Sequence, residues 1–227
     1  MVQGAQLGET FDWCGVNAGW RAVSVIGHFS PTRRDLTMEA FLVSTGIVAL
    51  AEMGDKTQLL ALVLAARLKK PLPICVGILV ATLVNHACAA AVGQWITQYL
   101  GPDAMRWILG LSFLAMAAWM LIPDKLDDDE GTRPERFGAF LTTVIAFFIV
   151  EMGDKTQIAT VALAAKYSSL FVVVAGTTLG MMLANAPVVY FGDQLTRRVP
   201  IKLVHAACAA VFAVLGLAAL LNLGKMF

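Results

Sequence analysis

One heptapeptide, EMGDKTQ, occurs twice in this chain, at residues 52–58 and 151–157, and each copy lies inside a long apolar segment. Ionised side chains in such a segment are costly to bury unless they pair with each other, take up protons or bind ions. The repeated charges are therefore predicted to be functional. Any fold of this chain has to place these ionised side chains next to opposite charges, protons or bound ions.

The composition is that of a protein surrounded by lipid. Of the 227 residues, 58% are hydrophobic and only 15% are charged, and the mean hydropathy is +0.72. These values are typical of multi-pass membrane proteins and lie outside the range of ordinary soluble domains. The net charge of +1 argues against nucleic acid as a partner. The bilayer is thus the first predicted partner.

Apolar runs of the length that a membrane-crossing helix needs, about 20 residues, follow Met38. They lie near residues 40–66, 72–97, 104–122, 138–165, 169–191 and 201–223. The sequence therefore predicts an all-α integral membrane protein with six transmembrane helices. Residues 1–37 contain no uninterrupted run of this length. They are predicted to form an N-terminal extension, flexible or lying at the membrane interface.

The chain contains an internal repeat. At a shift of 99 residues the heptapeptides align, and so do residues 64–66 with 163–165, Gly77 with Gly176 and Gly93 with Gly192. Three-helix repeats are predicted at 38–122 and 138–227, joined by an acidic linker loop at 123–137. Because three is odd, the second repeat enters the membrane from the opposite side. Inverted repeats of this kind are typical of secondary transporters, whose substrate site lies near the midplane between the repeats.

The loops on one side of the predicted membrane hold most of the basic residues. Since Lys and Arg accumulate in cytoplasmic loops, that side is predicted to be cytoplasmic. Both ends of the six-helix core would then face outward and the acidic linker inward. The protein is therefore predicted to be a multi-pass integral membrane protein. The basic residues on this side are Arg67, Lys69, Lys70, Lys125, Arg133, Arg136, Arg197, Arg198 and Lys202.

On a continuous helix, Glu52, Asp55 and Lys56 would share one face, because side chains three or four residues apart are neighbours. Gln58 would lie within reach of Asp55, whereas Thr57 would point roughly the other way. The second copy repeats this arrangement with Glu151, Asp154, Lys155 and Gln157. A break at the central glycine of either copy would alter these directions.

If the repeats face each other, four carboxylates and two ammonium groups converge, with a formal charge of about −2 when all are ionised. A divalent cation would neutralise that charge. Oxygen ligands suit Mn²⁺, Ca²⁺ or Mg²⁺ better than metals that prefer thiolates. Glu52, Asp55, Glu151 and Asp154 are the predicted cation and proton ligands. Crowded carboxylates also take up protons, so that proton and cation compete for one site, which is the basis of antiport.

Further polar residues lie in the predicted spans. Asn85 and Asn185 are predicted supporting residues of the site. Aligning them with each other requires a slip of one residue from the shift of 99. Asn in a membrane helix also commonly does no more than hydrogen-bond a neighbouring helix. His86 could relay protons, but an interhelical hydrogen bond is the favoured interpretation. His205 is predicted to lie at the membrane interface. The remaining predicted supporting residues are Lys56, Thr57, Gln58, Lys155, Thr156 and Gln157.

Other interpretations of the repeated charges stay open. In the simplest, Glu52 pairs with Lys56 and Glu151 with Lys155, four residues apart on one helix, for structural reasons only. A divalent-cation channel with an acidic ring is a second alternative. An intramembrane aspartyl protease is a third, although the glutamates stand where such enzymes have glycine. A homo-oligomer is also left open.

The pattern E-x-G-D-[KR]-[TS], present once in each three-helix repeat, resembles the cation/proton exchanger family of the Golgi manganese transporter and the bacterial manganese exporters. The resemblance covers essentially all of residues 38–227. It implies a six-span inverted-repeat fold, no enzymatic activity, and export of Mn²⁺, or in some members movement of Ca²⁺, against protons. The metal would then be a transported substrate rather than a cofactor. The resemblance also implies that the motif acids bind the cation.

Overall fold

The computed structural model describes residues 33–122, 138–192 and 201–222. Within these ranges the chain is entirely helical, without a β-strand. The all-α prediction is therefore confirmed. The helices are α1 (Arg33–Glu52), α2 (Lys56–Leu68), α3 (Pro71–Thr97), α4 (Pro102–Trp119), α5 (Gly138–Glu151), α6 (Lys155–Lys166), α7 (Leu170–Phe191) and α8 (Ile201–Leu220).

Helices α3, α4, α7 and α8 begin and end within a few residues of four predicted spans. Proline at the first turn begins α3 and α4, where its missing N–H group costs no hydrogen bond. Helix α1 begins at Arg33, before the predicted start near residue 40. The rest of the predicted N-terminal extension and the predicted linker at 123–137 lie outside the described residues.

By length and hydropathy, three of the described helices could each cross a membrane: α3, α7 and α8. The bent pair α1 and α2 makes a fourth if it counts as one span, and α5 is a shorter apolar helix. Six spans therefore remain a prediction. The apolar exterior agrees with a lipid environment, since large side chains such as Phe171, Leu83 and Val214 are exposed.

Each heptapeptide interrupts a helix. α1 ends at Glu52 and α2 begins at Lys56, and α5 and α6 are separated at the corresponding positions. Gly54 and Gly153 both have a φ of +81°, a left-handed conformation that favours glycine. This conformation ends the α-helical hydrogen-bond pattern, and α1 and α2 meet at a bend of 69°. The continuous helix assumed for the motif is therefore wrong.

The broken helix pair of each half of the chain packs against a helix of the other half. The broken pair α1 and α2 packs against α7 of the second half, and the broken pair α5 and α6 packs against α3 of the first half. Helix α4 packs along α8, where Phe113 and Phe212 are in contact. The interface between the halves therefore runs past both helix breaks and brings the two motifs close together.

Glycine allows α7 to approach α1 closely. A Cβ atom added to Gly176 would lie 2.7 Å from the carbonyl oxygen of Phe41, and one added to Gly180 would lie 2.6 Å from that of Thr45. These distances are too short for any side chain. Small residues four apart are a common device for close helix packing in membranes.

Gly180→Ala is expected to destabilise the protein by about 1–3 kcal/mol, because the new methyl group overlaps the α1 backbone. The measurement is unfolding of purified protein in detergent. Gly46→Ala on α1 is the matched control, since a Cβ atom there meets nothing within 4 Å. Equal stability of the two variants would show that α7 does not pack on α1 in this way.

Candidate cation site

The two motif loops have the same backbone conformation. Asp55 and Asp154 each precede a helix with φ −80° and ψ 168°. The Gly54 N–H donates to Gln58 Oε1 at 2.9 Å, and the same bond is repeated between Gly153 and Gln157 at 2.7 Å. The glutamine of each motif thus satisfies a backbone donor that the helix break would otherwise leave free.

Aspartate at the first position before a helix usually caps it by a side-chain hydrogen bond. Neither Asp55 nor Asp154 makes such a bond. Lys155 Nζ instead lies 2.6 Å from Asp55 Oδ1, and Lys56 Nζ lies 3.5 Å from Asp154 Oδ1. The Glu–Lys pairs that the spacing allows within each motif are therefore replaced by Asp–Lys pairs between the motifs.

Three of the four predicted carboxylates come together in one buried cluster. Glu52, Glu151 and Asp154 each offer an oxygen atom, and these atoms lie within 4.8 Å of one another. All three residues are at most 1% exposed. Neither carboxylate oxygen of Glu52 has a hydrogen-bond partner among the described residues. Asp55, the fourth predicted ligand, is equally buried and is held by Lys155.

Both motif threonines are buried, and Thr156 contacts the motif acids. Thr156 Oγ1 donates to Glu151 Oε1 at 2.5 Å and lies 3.5 Å from Asp154 Oδ2. Thr57 is fully buried as well. The direction expected for Thr57 on a continuous helix therefore does not hold for its counterpart Thr156, which follows a helix break. Its hydroxyl group holds the Glu151 carboxylate in place.

The predicted supporting amides lie around this cluster. Gln58 Nε2 donates to the Ala184 carbonyl oxygen at 3.0 Å, and Gln157 Nε2 donates to Asn85 Oδ1. Asn185 donates to the Met181 carbonyl oxygen at 3.2 Å and lies beside Glu52. The glutamines thus connect each motif loop to α7 or α3 of the opposite half.

His86 makes the interhelical hydrogen bond that the sequence favoured, and its partner is a motif acid. His86 Nε2 lies 3.3 Å from Glu151 Oε1, and the histidine is fully buried. The shift of 99 residues aligns His86, not Asn85, with Asn185. The one-residue slip assumed for the asparagines is therefore unnecessary.

His205, which the sequence places at the membrane interface, is buried within the protein. Its Nε2 atom lies 3.1 Å from the Met53 carbonyl oxygen, and Cys208 Sγ, one turn later on α8, donates to the Leu50 carbonyl oxygen at 3.0 Å. At the break after α1, the Leu50 carbonyl oxygen accepts a long bond of 3.3 Å from the Met53 N–H within its own segment, and buried carbonyls need donors. Helix α8 supplies them.

The charges in the site do not balance. Each lysine offsets one aspartate, so that Glu52 and Glu151 remain without an ammonium partner at ion-pair distance among the described residues. Their formal charge is about −2 when both are ionised. The oxygen atoms of Glu52, Glu151 and Asp154 could hold one divalent cation, whose charge would compensate them.

Comparisons with known proteins identify the family. A sequence model described as "Divalent cation/proton antiporter GDT1" matches residues 40–128 and 139–226. The chain is 48% identical over 190 residues to the "Putative manganese exporter" of Vibrio cholerae serotype O1, over 83% of this chain and 94% of that protein. No solved structure matches significantly.

Plant relatives are more distant. GDT1-like protein 5 of Arabidopsis thaliana is 25% identical over 222 residues, over 82% of this chain and 96% of that protein. GDT1-like protein 3 of Oryza sativa subsp. indica is 27% identical over 186 residues, over 71% of this chain and 66% of that protein.

The resemblance predicted from the motif is confirmed, because the family matches both halves of the chain. This family consists of transporters rather than enzymes, and the apolar helices agree with a multi-pass membrane protein. The chain belongs to the GDT1 family of divalent cation/proton antiporters.

Proposed function

We propose that this protein exports Mn²⁺ from the cytoplasm in exchange for protons, across the inner membrane of a bacterium. The observation that carries the proposal is the buried cluster of Glu52, Glu151 and Asp154, whose oxygen atoms lie within 4.8 Å of one another. A cluster of this kind without a cation is unfavourable, since like charges repel strongly at low dielectric. The bacterial relative, whose name describes a manganese exporter, supports this choice of ion.

The cation ligands in this proposal are Glu52, Glu151, Asp154 and, in the occupied site, Asp55. The two lysines keep the empty site tolerable by neutralising the aspartates. When the cation leaves, Glu52 and Glu151 take up protons, because neither has an ammonium partner at ion-pair distance among the described residues. Cation and protons therefore occupy the same carboxylates in turn, which couples their movements in opposite directions.

The proposed architecture is six spans in two inverted repeats. In it, α1 with α2 and α5 with α6 form two broken spans, and α3, α4, α7 and α8 form the others. The match of one family model to both halves supports a repeat. So do the equal φ angles of Gly54 and Gly153. Broken helices that meet at an ion site are a recurrent feature of secondary transporters.

The test is proton movement in everted membrane vesicles with an acidic interior. Adding Mn²⁺ to vesicles that contain the protein is expected to dissipate the pH gradient, whereas vesicles without it should keep the gradient. The same experiment with Ca²⁺ measures the second candidate ion. Entry of Mn²⁺ without proton movement would contradict antiport and indicate a channel. No response to Mn²⁺ would contradict the proposed substrate.

A further inference from the structure

The two halves of the site differ at one pair of equivalent positions. The shift of 99 residues places His86 of α3 where the second half has Asn185 of α7. Both side chains are fully buried. His86 lies against Glu151 of the opposite half, and Asn185 lies beside Glu52 of the opposite half. A site otherwise built from oxygen atoms thus has an imidazole on one side only.

We propose that His86 is a ligand of the transported cation and sets its preference for Mn²⁺ over Ca²⁺ and Mg²⁺. This inference rests on the proposed function, since it assigns a residue to the same site. Ca²⁺ and Mg²⁺ are hard ions that bind oxygen, whereas imidazole nitrogen is a ligand for transition metals. One nitrogen among carboxylates therefore favours Mn²⁺ without excluding proton exchange at the acids.

The distance between His86 Nε2 and Glu151 Oε1 suits this role. Two ligands placed about 2.1 Å from one ion, at a right angle, lie about 3.0 Å apart. The observed 3.3 Å requires only a small adjustment of either side chain. The other nitrogen, Nδ1, has no hydrogen-bond partner among the described residues. In the arrangement without a cation, Nε2–H donates to the Glu151 carboxylate, because an ionised carboxylate only accepts. Binding of a cation at Nε2 requires the ring proton to move to Nδ1, which no hydrogen bond in the described part of the chain occupies.

The neighbouring groups favour a cation beside His86. The Glu151 carboxylate is oriented by the Thr156 hydroxyl group, so that it remains available next to the imidazole. Glu151 in turn offers an oxygen atom that lies within 4.8 Å of oxygen atoms of Glu52 and Asp154. Asn185, on the other side, can offer only its carbonyl oxygen, whose Oδ1 atom is buried and has no partner among the described residues.

Electron spin-echo spectroscopy of Mn²⁺ bound to the purified protein tests the ligand directly. Wild-type protein is expected to show hyperfine coupling to ¹⁴N, and labelling histidine with ¹⁵N should change the pattern. His86→Asn, which makes the two halves alike at this position, should lose the coupling. His205→Asn is the control and should retain it, because His205 contacts the Met53 carbonyl oxygen rather than a motif acid.

Transport gives a second, independent measurement. His86→Asn is expected to lower the ratio of apparent Mn²⁺ to Ca²⁺ affinity at least about tenfold, with Ca²⁺ transport retained. An unchanged ratio, or wild-type Mn²⁺ spectra without coupling to histidine nitrogen, would overturn the role of His86 and leave the proposed function intact. If wild-type vesicles fail to move Mn²⁺ at all, the proposed function itself is wrong, and this inference with it.

Discussion

Glu52→Gln is expected to reduce Mn²⁺-driven proton movement in everted vesicles about 100-fold. Loss of a group that merely supports a metal ligand costs 10–100-fold in affinity or activity, and loss of a ligand should cost at least as much. The amide keeps the size of the side chain but can neither carry the negative charge nor exchange a proton. Glu151→Gln is expected to have an effect of the same size, because the two residues occupy equivalent positions in the cluster.

The matched control is Glu39→Gln on the same helix as Glu52. Glu39 is exposed and accepts a hydrogen bond from Tyr167 at 3.1 Å, away from the cluster. Its replacement should leave proton movement within about twofold of wild type, as surface changes usually have small effects. All variants are compared at equal amounts of protein in the membrane. Normal transport by Glu52→Gln or Glu151→Gln would contradict the assignment of the glutamates as cation and proton ligands.

The helical fold could be predicted from the sequence because the length of each apolar segment can be read from consecutive residues, without knowledge of tertiary contacts. Four of the predicted spans match single helices, and the repeat was visible from identical residues. The helix breaks could not be located in the same way. A glycine in an apolar run is compatible with a continuous helix, and the left-handed conformation of Gly54 depends on tertiary contacts such as that of Gln58 with α7.

The residues of the site were predictable as a set, but their pairings were not. Spacing along one helix predicted Glu52 with Lys56, whereas the structure pairs Lys56 with Asp154. The error arises because i,i+4 geometry holds only while the helix continues. For His86 the sequence favoured an interhelical hydrogen bond, which is present, but its partner Glu151 could not be named. The position of His86 becomes informative only when the repeat is aligned without a slip and α3 is known to pack against α5.

Lys155→Met is expected to destabilise the protein by about 3–5 kcal/mol, which is the usual cost of removing one partner from a buried ion pair. Lys155 is 1% exposed and its partner Asp55 is fully buried. Without the ammonium group, the Asp55 carboxylate would be left with an uncompensated charge beside the acidic cluster. Unfolding of the purified protein in detergent, followed by intrinsic tryptophan fluorescence, measures the effect.

Two further variants separate the ion pair from simple packing. Lys155→Met combined with Asp55→Asn should recover most of the lost stability, because replacing both partners leaves no buried charge to compensate. Lys56→Met is the matched control in the other motif. Its ammonium group lies 3.5 Å from Asp154 and its side chain is 24% exposed, so solvent already weakens that pair and the expected loss is smaller. If the double variant were as unstable as the sum of its single changes, Asp55 and Lys155 would not be coupled. The lysines would then have to be assigned to their own glutamates, as the spacing of the motif alone suggests.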